Sequence, residues 1–496
     1  MLEHSLQIAR LRSALRDGAV SARELTDLVL TRIAEWDDPA LWITRTSEAD
    51  LKQRAGELDA AAASDPDLIA RLPLFGIPFA VKDNIDVAGM PTTAACPAFT
   101  YTPSETAPVV RQLLAAGAVL VGKTNLDQFA TGLVGTRSPY GVPRNPFDAR
   151  YIPGGSSSGS AVAVAAGLVS FALGTDTAGS GRVPAAFNNI VGLKPTRGLL
   201  STGGVVPACG SLDCISIFAL TAQDASVVLG VTACFDPDDP LARSARSFEP
   251  ASFGSNCRFG VPRSSELEFF GDCEAASLFA SAAAKLEQIG GTRIETGFEL
   301  FRDTGRLLYD GPWVAERLHA TEALLDDNPD ALLPVTRSII EQGRHYTALD
   351  AYRAQYALER RKREARLVFS SIDVMVLPTT GTIYETAAIA ADPIRLNANL
   401  GLYTSFVNLL DLSAIAVPAG FRSDGLPFGI SLIAPAFAEH ALLDLADRFQ
   451  SSGGLPLGAI VHEPNPQSEC PSFGRSPRRR SHGLNKPRRR HQHCGG

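Results

Sequence analysis

The pattern of apolar positions near the N-terminus predicts two helices. Residues 5–35 carry apolar side chains at the three-to-four-residue spacing of an amphipathic helix. Within this stretch Ser21 is followed three residues later by Glu24, which is the pattern of a capping box at the start of a helix. We therefore expect one helix before Ser21 and a second helix directly after it.

After this region the chain alternates short β-rich runs with helical stretches. In order, these runs are PLFGIPFAVKD, VVRQLLAAG, AVLVGKTN and SAVAVAAGLVSFALG. Such alternation predicts an α/β fold with a large, mixed, mostly parallel β-sheet covered by helices on both faces. Further along, the pattern predicts a charged helix over residues 348–369 and buried strands over residues 373–378 and 412–417, each ended by a proline.

Composition divides the 496-residue chain into a body and a short tail. No repeat or linker precedes about residue 463, so residues 1–462 are predicted to form one large domain. From Glu463 onward eight Lys/Arg stand against two Asp/Glu, with few apolar residues, which predicts a basic, disordered tail over residues 463–496. Removing the tail from the totals of 46 basic and 53 acidic groups leaves 38 and 51, a net charge of -13.

This charge distribution and the apolar runs limit the class of protein. An acidic body disfavours nucleic acid as the main ligand, so a solvated tail is favoured over a nucleic-acid patch. Charges at Glu3, Arg10 and Arg12 interrupt any apolar core of a secretory signal, and the longest weakly polar run, residues 161–174, is too short to span a bilayer. We therefore predict a cytoplasmic protein without a membrane segment.

Two glycine-serine loops flank one Ala/Val helix, GGSSSGS at residues 154–160 and GTDTAGSGR at residues 174–182. Such a loop at a helix start directs several backbone N–H groups to one point, which suits a phosphate or a developing oxyanion. Neither a Walker lysine nor a G-x-G-x-x-G spacing is present, and this disfavours the phosphate. An oxyanion would instead point to a serine nucleophile.

The distribution of histidine limits which base could serve such a serine. No histidine lies between residues 5 and 318, so a Ser-His-Asp triad is disfavoured, although a distant histidine could still fold in. No His/Asp/Glu cluster or C-x-x-C pair has metal-ligand spacing, so no metal or other cofactor is predicted. Lys82, at the end of an apolar strand, could become a neutral base by burial. A lysine at a strand end is otherwise an ordinary solvated charge.

Two long motifs resemble the amidase signature family. Residues 154–198, GGSSSGSAVAVAAGLVSFALGTDTAGSGRVPAAFNNIVGLKPTRG, resemble its signature, and residues 76–87, GIPFAVKDNIDV, resemble its lysine motif. The resemblance extends over roughly residues 5–460. It implies the amidase signature fold with a signature core at about residues 70–215, a substrate-side region at about residues 255–350, and a homodimer.

The resemblance also implies a Ser-cisSer-Lys triad. Ser180 corresponds to the nucleophile, Ser156, after a cis peptide at Gly155, to the bridging serine, and Lys82 to the base. Lys82 would take a proton through Ser156 as Ser180 attacks an amide carbonyl. The implied oxyanion donors are the backbone N–H groups of Thr177, Ala178, Gly179 and Ser180. The remaining serines of the first loop, Ser157, Ser158 and Ser160, are expected to be turn and capping groups.

The family includes hydrolases of fatty-acid amides, peptide amides, malonamate and allophanate, and the glutaminase-like subunit of a tRNA-dependent amidotransferase. Residues 307–317, LLYDGPWVAER, and the string TDTAGSGRVPAAFN resemble segments of the allophanate hydrolases. This resemblance implies a small anionic amide as substrate, in the breakdown of urea or s-triazines. It implies that Tyr309 and Arg317 contact the substrate and that Gly132 lets the backbone approach it.

Three alternatives and one departure remain. The chain could be a broad-specificity amidase, an amidotransferase subunit, or a protein that binds nucleic acid through its tail. Full-length allophanate hydrolases commonly carry a second, C-terminal domain, and this sequence has the basic tail in its place. We therefore expect that domain to be absent and only the first deamination to remain, giving ammonia and N-carboxycarbamate.

Overall fold

One mixed sheet organises the computed structural model, which describes residues 5–65, 67–244 and 252–459. Its strands are β1 Trp42–Arg45, β2 Pro78–Lys82, β3 Val119–Thr124, β4 Phe171–Asp176, β5 Val191–Lys194, β6 Cys214–Ala219, β7 Arg258–Pro262, β8 Thr292–Thr296, β9 Val374–Pro378, β10 Leu412–Phe421 and β11 Pro427–Pro435. They lie side by side in the order β1-β3-β2-β4-β6-β5-β10-β11-β9-β7-β8. The prediction of a large mixed sheet is confirmed.

The pairing within the sheet corrects one part of that prediction, because parallel pairs are the minority. Only β2–β3, β2–β4, β7–β8 and β7–β9 pair in parallel among the described strands. Strands β4 and β5 run in the same direction, but β6 lies between them and is antiparallel to both. Antiparallel β10 and β11 then form a long pair beside β5. The alternation of strands and helices along the chain does not reveal this arrangement, because a strand from later in the sequence can pair between two earlier strands.

Helices surround the sheet. They are α1 Ile8–Arg16, α2 Ala22–Trp36, α3 Glu48–Ser64, α4 Leu68–Arg71, α5 Pro108–Ala115, α6 Ser158–Ala165, α7 Val183–Phe187, α8 Ala222–Thr232, α9 Cys273–Gln288, α10 Glu299–Arg306, α11 Val314–Asp327, α12 Pro334–Ile340, α13 Ala348–Ser371, α14 Thr386–Ala391, α15 Arg395–Leu400, α16 Phe406–Leu409 and α17 Glu439–Ser451. The predicted capping box is present, with Ser21 and Glu24 bonded reciprocally at the start of α2.

Both faces of the sheet are buried. In β9, Val374 and Val376 belong to one hydrophobic cluster, which includes side chains of α5, α6, α8 and α17. The alternate residues, Met375 and Leu377, belong to a second cluster with side chains of α10, α13 and α16. Since successive residues of a strand point to opposite faces, the two clusters cover opposite sides of the sheet. The prediction of helices on both faces is confirmed.

Strand β10 runs further than its sequence pattern predicts. The pattern ends it before Pro418, yet pairing with β11 continues to Phe421. The register shifts between Pro418 and Gly420, so the proline lies beside a bulge, a position where a missing N–H group is tolerated.

Parallel pairing brings three strand ends to one edge of the sheet. Lys82 is the last residue of β2, and its register partner on β3 is Thr124, also a last residue. Strand β4 ends at Asp176 on the other side of β2. The loops that follow β2, β3 and β4 therefore meet at this edge, the usual place for a site in an α/β sheet.

Two predictions concern the limits of the chain. No helix among the described residues is long and apolar enough to cross a membrane. The tail predicted at residues 463–496 lies outside the described residues.

A glycine in β5 links the sheet to the predicted nucleophile. A Cβ at Gly192 would lie 2.1 Å from the carbonyl oxygen of Gly181 and 2.6 Å from Cβ of Ala185. We predict that Gly192→Ala lowers the free energy of unfolding by about 1–3 kcal/mol through overpacking. Urea unfolding checks this, with Gly230→Ala as the control because nothing surrounds Gly230 on α8. Equal stabilities of parent and Gly192→Ala would contradict the prediction.

Candidate active site

Lys82 is fully buried, so it is not the solvated charge that a lysine at a strand end usually is. Its Nζ atom lies 2.8 Å from Oγ of Ser156 and 2.8 Å from Oγ1 of Thr175. Neither neighbour is a carboxylate, and no described salt bridge involves this amine. The first two members of the predicted triad are thus in direct contact, through hydroxyl groups that can exchange protons.

Burial is the main cause that lowers the pKa of Lys82, to about 7. The carboxylates of Asp127, Asp213 and Asp176 act in the opposite direction, and the guanidinium of Arg317 lowers the pKa further. The amine is therefore uncharged in a large fraction of molecules near neutral pH. An uncharged amine at hydrogen-bond distance from a hydroxyl can act as a general base.

Ser156 lies just before α6, and the peptide bond from Gly155 to Ser156 is cis, as the resemblance implied. The neighbouring serines tie α6 to the strands. Ser157 donates to the carbonyl of Thr175, and Ser160 donates to the carbonyl of Leu173, both on β4. The N-cap position of α6 has no side-chain cap, so these hydroxyls fix α6 against β4 instead of capping it.

Ser180 lies in the turn between β4 and α7 and is 3% exposed. Its hydroxyl donates to the carbonyl of Gly132 at 3.5 Å and makes no hydrogen bond with Ser156 in the described part of the chain. A rotation of the Ser180 side chain toward Ser156 would complete the predicted relay. Catalytic hydrogen bonds of this kind often form only in the substrate complex.

A buried ion pair holds the turn that carries Ser180. Arg182 binds both carboxylate oxygens of Asp176, from Nε at 2.9 Å and Nη2 at 3.0 Å. The same carboxylate accepts the N–H groups of Gly179 and Gly181. Burial is the largest effect and raises the pKa of Asp176, but Arg182, Lys194 and the N–H of Gly181 together outweigh it, so the net pKa is lowered and the carboxylate stays charged.

This ion pair narrows the set of oxyanion donors. The N–H of Gly179 already donates to Asp176 at 2.9 Å, so Gly179 does not fit the donor role expected from the sequence. The other three N–H groups have no acceptor among the described residues: Thr177, Ala178 and Ser180. Gly179 is required for another reason, because a Cβ there would lie 2.3 Å from Oγ1 of Thr404.

Asp213 connects the same turn to helix α11. Its carboxylate accepts the hydroxyl of Thr177 and the N–H groups of Ala208 and Cys209. The thiol of Cys209 in turn donates to the carbonyl of Trp313, the N-cap residue of α11, at 3.4 Å. The position of α11 is therefore coupled to the oxyanion turn through a chain of hydrogen bonds.

Helix α11 carries Arg317, a cation that is 2% exposed. Its Nη1 atom donates to Oγ1 of Thr131 at 3.0 Å and to the carbonyl of Ala130 at 3.4 Å. Its Nη2 atom donates to the hydroxyl of Tyr309 at 3.4 Å, and the guanidinium lies 5.3 Å from the Tyr309 ring centre. No described carboxylate pairs with it, and its Nε has no partner among the described residues. The predicted pair Tyr309 and Arg317 is thus in contact.

Gly132 lies between these two parts of the site. Its carbonyl accepts the Ser180 hydroxyl, while the preceding residue, Thr131, accepts Arg317. A Cβ at Gly132 would lie 2.7 Å from Oδ2 of Asp127. The glycine is thus required by the close packing of its own loop, a reason that the resemblance did not supply.

A cavity of about 480 Å³ adjoins the site. Leu133, Tyr309 and Ser405 are among the residues that line it. Leu133 directly follows Gly132, and Tyr309 contacts Arg317. The cavity therefore lies next to the residues that surround Gly132 and Arg317. Within the described ranges, no group of three His, Cys, Asp or Glu side chains could hold a metal ion.

Sequence reasoning did not single out three polar residues of this site. Thr175, a partner of Lys82, is the second residue of the second glycine-serine loop, and this position in the quoted signature string was the available signal. Asp127 and Arg137 are buried in the loop after β3. Their signal was the presence of two charges in a stretch, residues 126–137, that is otherwise small, apolar or uncharged.

Comparison with known proteins settles the family. Residues 24–443 match the family model Amidase, which is more than half of the chain. The chain belongs to the Amidase family. This membership confirms the predicted amidase signature fold and the predicted enzyme class, a hydrolase of amide C–N bonds.

Individual relatives carry two different names. The chain is 49% identical over 381 residues to urea amidolyase of Saccharomyces cerevisiae, an alignment covering 76% of this chain and 21% of that protein. It is 35% identical over 479 residues to a glutamyl-tRNA(Gln) amidotransferase subunit of Prochlorococcus marinus, covering 91% and 98%. The chain spans about a fifth of the length of the urea amidolyases it matches.

A solved structure has the same fold. Allophanate hydrolase of Kluyveromyces lactis superposes with a TM-score of 0.83 at 42% identity, covering 90% of this chain and 73% of that chain. With this coverage, the fold that positions the strands and loops of the site is shared.

The low pKa of Lys82 generates a prediction about stability. The pKa is about 7 in the folded state and 10.5 for an ordinary lysine, so the unfolded chain binds more protons between these values. Lys82 therefore makes the free energy of unfolding rise with pH from about 7 to about 10. We predict that Lys82→Met removes this rise and is more stable than the parent below pH 7. Urea unfolding across about pH 6–10 measures both effects.

The control is Lys362→Met, which removes a lysine that pairs with Glu359 on the surface of α13. This variant should keep the parent's dependence of stability on pH. Parallel pH curves for the parent and Lys82→Met would show that Lys82 is charged in the folded state at about pH 8, contrary to the prediction.

Proposed function

We propose that the chain hydrolyses the terminal amide of allophanate, in the breakdown of urea or of s-triazines. The observation that carries the proposal is the buried guanidinium of Arg317, which has no carboxylate partner among the described residues. A buried, unpaired charge costs several kcal/mol, about 3–5 when the partner of a buried pair is removed, and an anionic ligand would offset that cost.

Allophanate has the shape and charge that this site would complement. It is small and planar, with an amide at one end and a carboxylate at the other. The fork of Arg317 can bind a carboxylate with two parallel hydrogen bonds, and the hydroxyl of Tyr309 lies beside it. Because Thr131 and Gly132 join Arg317 to Ser180, the carboxylate end would set the amide carbon against the nucleophile.

The proposed mechanism uses the groups at the edge of the sheet. Ser180 attacks the amide carbonyl while its proton passes through Ser156 to neutral Lys82. The N–H groups of Thr177, Ala178 and Ser180 stabilise the oxyanion. The proton then returns to the leaving ammonia, and water cleaves the acyl-enzyme to give N-carboxycarbamate, which can lose carbon dioxide unaided.

Two further features support this assignment. The cavity beside Tyr309 offers a route by which a small polar substrate could enter. The relatives with the higher identities are urea amidolyases, and a neighbouring structure is an allophanate hydrolase. A homodimer, a cytoplasmic location and the domain limits stay predictions.

An amidotransferase subunit is the second candidate, because the chain spans nearly the whole length of the amidotransferase subunits it matches. The two functions differ in substrate charge. Glutamine has an ammonium group next to its carboxylate, whereas allophanate has the carboxylate alone. Glutamine hydrolysis, or purification with partner subunits, would favour this candidate.

A panel of amides tests the proposal. We predict that the parent releases ammonia from allophanate at least about tenfold faster, in kcat/KM, than from malonamate, acetamide or glutamine. Arg317→Ala should lower kcat/KM for allophanate by about 100-fold, since a hydrogen bond to a charged group contributes about 1.5–3 kcal/mol, and should change acetamide cleavage by less than about threefold. Ammonia release is the measurement.

Three variants serve as controls. Arg317→Lys keeps the positive charge but lacks the paired N–H donors of a guanidinium, so it should retain only part of the allophanate activity. Arg344→Ala removes an arginine that contacts the exposed face of α11 and should behave as the parent. Ser180→Ala should abolish cleavage of every amide. Equal losses for allophanate and acetamide in Arg317→Ala would remove the proposed carboxylate site.

A further inference from the structure

The loop after β3 contains a buried carboxylate that the proposed mechanism does not use. Asp127 is fully buried. Its Oδ2 atom accepts the N–H of Gly135 at 3.0 Å, and its Oδ1 atom accepts the N–H of Arg137 at 2.9 Å. Its own N–H donates to the carbonyl of Ser156 at 3.0 Å. One residue thus closes the loop of residues 127–137 and binds the backbone of Ser156.

Two glycines bring backbone against this carboxylate. A Cβ at Gly155 would lie 2.3 Å from Oδ2 of Asp127, and a Cβ at Gly132 would lie 2.7 Å from the same atom. The carboxylate therefore packs against the peptide that precedes Ser156 and against the residue whose carbonyl accepts Ser180. The Asp127 side chain thus contacts backbone next to both serines of the triad: Gly155, which precedes Ser156, and Gly132, which accepts the Ser180 hydroxyl.

The same carboxylate acts electrostatically on Lys82. Lys82 and Thr124 are register partners at the ends of β2 and β3, and Asp127 follows Thr124 by three residues. Four charged groups act on the amine: the carboxylates of Asp127, Asp176 and Asp213, and the guanidinium of Arg317. Asp176 is paired with Arg182 and therefore exerts less net field, whereas Asp127 has no salt-bridge partner among the described residues.

The groups that face Asp127 are also defined. The guanidinium of Arg137, the cation that acts on it most, donates to the carbonyls of Thr131 and Pro393 and not to the carboxylate. Burial raises the pKa of Asp127, while Arg137, the two backbone N–H groups and Lys82 lower it. Burial is the larger effect, so the net pKa of Asp127 is raised, and the groups that favour its charged form lie mostly within its own loop.

We propose that Asp127 is a positioning residue for amide hydrolysis, which holds Ser156 in place and sets the charge around Lys82. The inference rests on the proposed roles of Lys82, Ser156 and Ser180. It adds a specific requirement to them, a negative charge that touches no reacting atom but is needed for the proton relay. In support, the charge of Asp127 raises the pKa of Lys82 against the larger effect of burial.

Labelling with an alkyl fluorophosphonate tests this without the identity of the amide. Ser180 Oγ bonds to phosphorus, fluoride leaves, and the serine proton passes to Lys82, so the labelling rate rises with pH as Lys82 loses its proton. Asp127→Asn removes the nearby charge, which should lower the pKa of Lys82. We expect the midpoint of the rate profile to move to lower pH by about one unit and the plateau rate to fall by about tenfold or more.

Asp224→Asn is the matched control, because Asp224 is also a buried carboxylate but accepts the N–H of Ile8 far from the triad. It should lose stability and keep the parent's midpoint. Asp127→Ser is the second variant if Asp127→Asn does not fold, since its small hydroxyl can still accept one N–H; it should shift the midpoint in the same direction.

Each remaining outcome has one meaning. A lower plateau with an unchanged midpoint in both Asp127 variants would overturn the electrostatic role. A parent-like rate and midpoint would overturn the inference altogether while leaving the proposed function intact. Absence of labelling in the parent itself would instead overturn the proposed nucleophile, and so the proposed function.

Discussion

An amine buried at the end of one strand, without a carboxylate in contact, is the condition on which the whole site depends. Lys82 meets two hydroxyl groups there, those of Ser156 and Thr175. A carboxylate at the same distance would form an ion pair and hold the proton on the amine. Hydroxyl partners satisfy the amine and leave it free to lose a proton near neutral pH.

The rest of the edge is arranged around that amine. The turn after β4 supplies Ser180 and three N–H groups without an acceptor in the described part of the chain, fixed by the Asp176–Arg182 pair. The loop of residues 127–137 contacts three other residues of the site. It accepts hydrogen bonds from the Ser180 hydroxyl and the Arg317 guanidinium, and it donates one to the carbonyl of Ser156. In the proposed function, this single loop would relate the charge of the substrate to the position of Ser180. We expect changes in this loop to affect selectivity and rate together.

The sequence was sufficient for the parts of the site that lie in continuous motifs. The buried strand ending at Lys82 and the two glycine-serine loops have local patterns, and the structure brings their side chains together. Strand pairing was less predictable, because β6 enters between β4 and β5 from later in the chain. The N–H of Gly179, predicted to bind an oxyanion, has Asp176 as its acceptor, a choice that depends on three-dimensional geometry. The proposed role of Asp127 likewise rests on contacts with glycines that a sequence pattern does not reveal.

The most direct measurement is ¹⁵N NMR of the lysine ε-amino groups as a function of pH, with the spectrum of Lys82→Met used for assignment. We predict that the Lys82 signal titrates with a midpoint near pH 7 and is that of a neutral amine at about pH 9. A signal that remains that of a charged ammonium up to about pH 10 would contradict it.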